Sequence, residues 1–368
     1  MKRFGLLVLT LVSLTEISLA QKTETTAIPF LLISPDSRSS GYGEGGVAMA
    51  GVDPNTIFWN PAALHKIKNI QVAITHANWL PQFQTDLFYD YIAATYPLDD
   101  DWGTLAGHFT FLNLGENVYT DDQNNNLGTF RSYDFALGVS YGVPLDEEWS
   151  FGTGVRLIYS RLAPNNVKVG NENGNGSSFG IGFDLATEYQ PDYFDRLIRV
   201  GASITNIGPK VSYVDDTQAD PMPTKFRLGT SYRIVNDEYY TTDIYVEMSK
   251  LLIVSDVVDT VNEANSKRYK WYEGLYKSWT KDGFTTELTK SNLALGGEFT
   301  YEKYVSLRMG YFYENKDYGD RQFITYGAGI VYDFLKVDFS YISAFKENHP
   351  LAGTIRISLG LDVTLLNQ

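Results

Sequence analysis

The only imidazoles in the chain are His65, His76, His108 and His349, and there is no cysteine. Without cysteine, disulfides, thiol nucleophiles and Cys-ligated zinc or iron–sulfur centres are excluded. No histidines share a His-Glu-x-x-His or similar ligand spacing. His76 and His108 fall on strand-like stretches, where an isolated histidine reads as structural rather than as a rim catalyst. The run Asp121-Asp122-Gln123-Asn124-Asn125-Asn126 offers oxygen ligands. It lacks the glycine at position six and the glutamate at position twelve of an EF-hand loop, so it reads as a solvated loop. The glycines Gly41, Gly43, Gly45 and Gly46 look superficially like a phosphate loop. No strand precedes them and no Lys-Ser or Lys-Thr follows, so a nucleotide site is not expected. The chain reads as non-enzymatic, with no catalytic residue, no metal and no cofactor assigned.

The other chemistry on offer is recognition. Between residues 250 and 291, Trp271, Tyr272, Tyr276, Trp279 and Phe284 alternate with Lys267, Arg268, Lys270, Lys277, Lys281 and Lys290. Aromatic and basic side chains are common anchors where proteins bind one another. The patch is locally basic in a chain with 30 basic and 44 acidic residues and a net charge of −14. That overall charge argues against nucleic acid as a partner, since phosphates demand surplus Lys and Arg. Trp271, Tyr272, Trp279 and Phe284 are therefore the partner-binding candidates. A lid over the chain's own structure is the competing reading for this segment.

The first twenty residues read as a signal peptide. Lys2 and Arg3 precede the apolar run Phe4–Val12, and small residues close it at Ser18-Leu19-Ala20. No cysteine follows, so no lipid anchor is expected, and no later apolar run reaches the ~18 residues of a membrane helix. An exported membrane protein of this kind must be a β-barrel, the other structure that satisfies its backbone in lipid.

Period-two alternation supports that expectation. Ile355, Ile357, Leu359, Leu361 and Val363 share one face, while Arg356, Ser358, Gly360 and Asp362 share the other. Fourteen such segments lie near 70–79, 86–97, 103–113, 131–142, 149–160, 179–190, 197–207, 224–234, 240–249, 292–301, 303–313, 323–333, 335–343 and 352–363. Tight turns and longer loops alternate between them, the longer ones being 114–130, 161–178, 208–223 and 250–291. Outer-membrane barrels sort their loops this way, with short periplasmic turns and long external loops. The even count places both termini on the periplasmic side.

The inward face collects Arg156, Arg199, Arg227, Arg233, Arg308, Lys336 and Arg356 against Asp134, Asp184, Glu188, Glu247, Glu298, Asp338 and Asp362. Buried charges persist when paired, so a filled, cross-braced lumen is expected over an open conduit. Residues 21–69 do not alternate and are expected to fold into the barrel as a plug, leaving 70–368 as the barrel. On this register Arg at Leu359, facing lipid, costs ~2–4 kcal/mol near the bilayer midplane. The same change at Ser358 is expected to cost much less.

The residues ahead of and along these strands resemble the FadL-type outer-membrane barrels and, more closely, the PorV family of the type IX secretion system. The plug carries Pro29-Phe30-Leu31-Leu32-Ile33, Asp36 with Arg38, Gly41, Gly43, Val47-Ala48 and Phe58-Trp59-Asn60-Pro61-Ala62. The barrel carries Asn206-Ile207-Gly208-Pro209-Lys210, Pro223-Thr224-Lys225-Phe226-Arg227 and Glu247-Met248-Ser249-Lys250. Two departures are Ser37-Arg38-Ser39-Ser40, where the family is Ala-rich, and a 250–291 loop that follows no family pattern. The resemblance implies an all-β, fourteen-stranded antiparallel transmembrane barrel in the outer membrane. It implies binding to the translocon barrel SprA/Sov and to the C-terminal signal domains of secreted cargo. Handover to the attachment complex containing PorU is implied as well. A FadL-like transporter of fatty acids or other hydrophobic small molecules is the alternative, with the plug as its gate.

Overall fold

The structure, a computed structural model, describes residues 25–83, 86–99, 101–120, 123, 125–164, 167–169, 172–214, 218–256 and 268–366. The expected signal peptide and three of the six residues Asp121–Asn126 lie outside the described residues, as does Lys267.

Fourteen antiparallel strands close into a barrel. They are β1 (Gln71–Asn78), β2 (Phe88–Asp99), β3 (Gly103–Thr120), β4 (Asn126–Pro144), β5 (Trp149–Arg161), β8 (Ser177–Tyr189), β9 (Ile198–Ile207), β10 (Lys225–Asn236), β11 (Tyr240–Leu251), β12 (Asn292–Tyr301), β13 (Val305–Tyr313), β14 (Gln322–Tyr332), β15 (Leu335–Ala344) and β16 (Ile355–Asp362). A small hairpin, β6 (Val167–Val169) with β7 (Glu172–Gly174), decorates the β5–β8 loop. Closure comes from β1, which pairs with β2 on one edge and β16 on the other, so no strand edge is left open.

The alternation sorts the two faces as the sequence implies. Ile355, Ile357 and Leu359 point outward, while Arg356 and Ser358 are buried inward. The outward belt of Ile, Leu, Val, Phe and Tyr is far larger than any apolar patch that a water-soluble monomer tolerates, and it fits a hydrocarbon environment. Short turns close one end. Between β12 and β13, Glu302 and Lys303 both take positive φ and Tyr304 N–H donates to the Tyr301 carbonyl, closing a tight three-residue connection.

One loop is much shorter than expected. Residues 114–120 and 126–130 continue β3 and β4 past a bulge at Asn113–Glu116, pairing Glu116 with Arg131 and Val118 with Thr129. Beyond Leu114, which still packs on the core, both faces of this extension are largely open to water, so backbone bonding holds it without any sorting of side chains.

The core lies inside the barrel. Residues 27–66 are almost entirely buried and pack on the inward faces of the strands. They comprise 3-10 turns at Pro29–Leu32 and Pro61–Lys66 and the short helices α1 (Ser37–Gly41) and α2 (Thr56–Trp59). The segment starts at the long-loop end, where Ala27 N–H donates to the Pro221 carbonyl. It ends at the short-turn end, where Asn69 donates to Asp362. The C-terminal helix α5 (Val363–Leu366) also sits there, with Val363 N–H on the Ile70 carbonyl. The first described residues and the last therefore stand at opposite ends, because the segment ahead of β1 runs the length of the lumen. The even strand count governs only where β1 begins and β16 ends.

Candidate functional site

Asp36 organises the first helix of the lumenal segment. Its carboxylate caps α1 by accepting from Ser39 N–H at 2.7 Å and takes Trp59 Nε1–H at 2.7 Å. Arg38, one residue into the helix, makes a bidentate pair with Glu298 on β12, at 3.0 and 2.7 Å. Glu298 also receives Arg308 at 2.5 Å, and Arg308 extends to Asp338 at 2.6 Å. Lys336 continues the chain to Asp338 and back to Asp53 of the lumenal segment at 2.8 Å. Elsewhere Arg356 pairs with Glu44 at 2.9 Å, Lys66 with Glu188, and Arg156 with Asp184. Four of these pairs, Arg38–Glu298, Asp53–Lys336, Glu44–Arg356 and Lys66–Glu188, fix the lumenal segment to the wall.

The motif residues explain themselves as docking chemistry. Asn60 caps the 3-10 turn Pro61–Lys66 by accepting from Ala62 N–H at 3.1 Å, and its amide reaches the Val47 carbonyl at 2.8 Å. Pro61 supplies the fixed φ of a first helical position. Ala62 sits against Gly152, where any Cβ would overlap its backbone. Gly41 meets Gly327 backbone to backbone, and Gly43 takes a φ of 110° beside the Leu295 carbonyl. Gly46 and Val47 N–H groups both donate to Glu247, at 2.7 and 2.8 Å. Trp59 is 3% exposed and stacks with the Arg227 guanidinium.

The barrel motif shapes the outer loops instead. Asn206 closes β9 at positive φ, takes Asp184 on its N–H at 2.8 Å and donates to the Pro223 carbonyl at 3.1 Å. Gly208 lies so close to the Ile181 carbonyl that a side chain would collide. Exposed Pro209 leads to Lys210, which pairs with Asp256 at 2.7 Å and so ties the β9–β10 loop to the β11–β12 loop.

The structure divides the four aromatic candidates. Trp279 is half-buried: it packs edge-on against Phe226 and lies over Lys250, whose ammonium is 1% exposed and paired with Glu287 at 3.0 Å. Trp279, together with α4 (Phe284–Thr289), holds the loop down on the barrel mouth. Trp271, Tyr272 and Phe284 are exposed, at 41, 43 and 62%, along with Tyr276 from α3 (Gly274–Lys277). Beneath them Lys277 pairs with Glu273 and holds its carboxyl below the usual range. One part of this loop is therefore a lid and another an open aromatic surface, a division that side-chain type alone does not reveal.

The histidines stand apart. His108 is buried and stacked on Tyr91, His76 faces outward against Asp90 at 2.7 Å, and His65 Nδ1 lies 2.8 Å from the Ala62 carbonyl. His349 accepts Leu351 N–H. Among the described residues no three His, Asp or Glu side chains converge as a metal site.

The family described as type IX secretion system protein PorV matches the chain over residues 17–258. No curated protein matches it. Among solved structures, a Pseudomonas aeruginosa FadL homologue is 13% identical with a TM-score of 0.51, covering 90% of this chain and 98% of its own. The Pseudomonas putida toluene transporter TodX is 12% identical with a TM-score of 0.53, covering 89% and 96%. The CymD monoaromatic hydrocarbon channel gives 13%, 0.51, 90% and 97%. At these identities the likeness is one of fold.

Proposed function

The chain belongs to the PorV family of type IX secretion system proteins, and we propose that it works there as a non-enzymatic adaptor in the outer membrane. In this reading it binds the SprA/Sov translocon barrel, collects cargo by its C-terminal signal domain and passes it to the PorU-containing attachment complex. Residues 21–69 act as a permanent plug, and the long loops face the cell exterior.

The observation that carries the reading is the contrast between lumen and rim. The lumen is filled by a segment fixed through buried ion pairs. Such pairs are costly to break one partner at a time, which suits a scaffold better than a gate. The outer loop presents Trp271, Tyr272, Tyr276 and Phe284 to solvent, the side-chain types that anchor protein contacts. A FadL-like transport role needs the plug to move, and the brace opposes that.

The test is Trp271→Ala combined with Phe284→Ala. Neither residue lies on a strand, so the barrel should assemble normally and still shift on a gel when boiled. Truncated anchors cost ~2 kcal/mol or more each, so co-purification of translocon or cargo should fall more than tenfold. Unchanged recovery and normal secretion would remove this surface from the reading.

A further inference from the structure

A cavity of about 320 Å³ opens at the long-loop end, between the top of the lumenal segment and the upper ends of β10 to β14. Five cationic side chains line it: Lys225, Arg227, Lys250, Lys290 and Arg321. Four of them have carboxylate partners. Lys250 pairs with Glu287 at 3.0 Å, Lys290 with Glu287 and Asp282, and Arg321 with Glu314 at 2.7 Å. Arg227 has only a loose contact to Glu247 Oε1, at 3.8 Å, while Oε2 of that carboxylate is held by the Gly46 and Val47 N–H groups. Its Nε, in a side chain 2% exposed, has no hydrogen-bond partner among the described residues.

Lys225 is the exception. It is the first residue of β10 and shares the inward parity of Arg227. Among the described residues it makes no ion pair or hydrogen bond through its ammonium, and the strongest charges acting on it are those of Arg227 and Arg321. The remaining carboxylate on the cavity wall, Glu44, is engaged by Arg356 at 2.9 Å. The cavity therefore holds one more cation than its surrounding carboxylates balance. Leu32, Trp59 and Phe312 supply an apolar wall beside this charge.

We propose that this cavity is a binding site for a compact organic carboxylate, its anionic head between Lys225 and Arg227 and its apolar body against Trp59 and Phe312. A group of that kind supplies the missing counter-charge, forming charge-assisted hydrogen bonds in a partly desolvated site. The volume lies at the lower end of small-molecule sites, so it fits a short ligand rather than an extended chain. The filled lumen beneath offers such a ligand no way through, so the site binds and does not conduct. The inference is independent of the secretion reading.

The experiment titrates the purified full-length barrel in nonionic detergent with 3-phenylpropanoate and with the neutral 3-phenylpropanol, by calorimetry and by tryptophan fluorescence. The carboxylate should bind, and the alcohol should bind at least about tenfold more weakly, a difference of about 1.4 kcal/mol. Lys225→Met should lower carboxylate affinity about tenfold or more while leaving the alcohol unaffected, and Lys225→Arg should restore it. Heat-shifted gel migration reports whether each variant is folded. Equal binding of acid and alcohol by the unaltered protein overturns the proposal whatever the variants do. So does a folded Lys225→Met that binds the carboxylate as tightly as the original.

Discussion

Arg308 shows what the residue scale decides. Its guanidinium spans Glu298 and Asp338, both nearly dry, and Glu298 in turn holds Arg38 of the lumenal segment. Arg308→Met leaves Asp338 sharing only Lys336 and should cost about 3–5 kcal/mol, the penalty for removing one partner of a buried pair. The measure is the temperature at which the folded band converts to the unfolded one on a gel, which should drop clearly. Leu359 and Ser358 test the register. Leu359 is 47% exposed on the outer belt, and Arg there should cost ~2–4 kcal/mol near the midplane. The sequence alone makes Ser358→Arg the cheaper change, and the structure corrects that. Ser358 Oγ bonds Ser37 and Thr75 and is buried against α1, so a long cation has no room. Both variants should assemble poorly, the first through lipid and the second through an undocked lumenal segment. Protease should reach residues 27–66 only in the second. Alternation revealed which charges point inward. It could not reveal their partners, because Arg38, Glu44 and Asp53 lie in a segment with no period.

At the scale of elements, the outer loop 268–291 separates into a clasp and a display. The clasp is Trp279 on Phe226 and Lys250, with Glu287 buried beneath. Trp279→Ala removes an aromatic pair and a cation–π contact, together about 1–2 kcal/mol. Limited proteolysis within 268–291 should speed up about tenfold, while the barrel's heat shift stays in place. If cleavage is unchanged, the loop is held by the Lys250–Glu287 pair alone. The strand positions were legible in the sequence because each barrel strand meets lipid on one face and a packed lumen on the other. The extension of β3 and β4 was not, since Glu116, Asn117 and Arg131 gain nothing from alternating in water. The motif around Asn60 was visible as a pattern, but its purpose came from the contact of Ala62 with Gly152, 90 residues away on β5.

For the whole molecule, a closed fourteen-strand barrel with two unlike ends makes topology testable. An epitope inserted at Lys281, in the exposed turn before α4, should be reached by antibody on intact cells. Labelling only after the outer membrane is opened would reverse the orientation. The sequence by itself determined the strand count, the inward and outward faces, the alternation of turns and loops, and the family. Each of these is written locally, in period-two hydrophobicity or in contiguous motifs, so it survives without knowledge of the fold. The tertiary structure alone decided that the N-terminal segment begins at the long-loop end and threads the full lumen. It also decided that Glu188, Glu298, Lys336 and Arg356 are spent on bracing that segment, and that Lys225 has no ion pair among the described residues. Those facts depend on residues hundreds of positions apart meeting inside a closed wall, and charge pairing at a distance leaves no periodic trace in the chain.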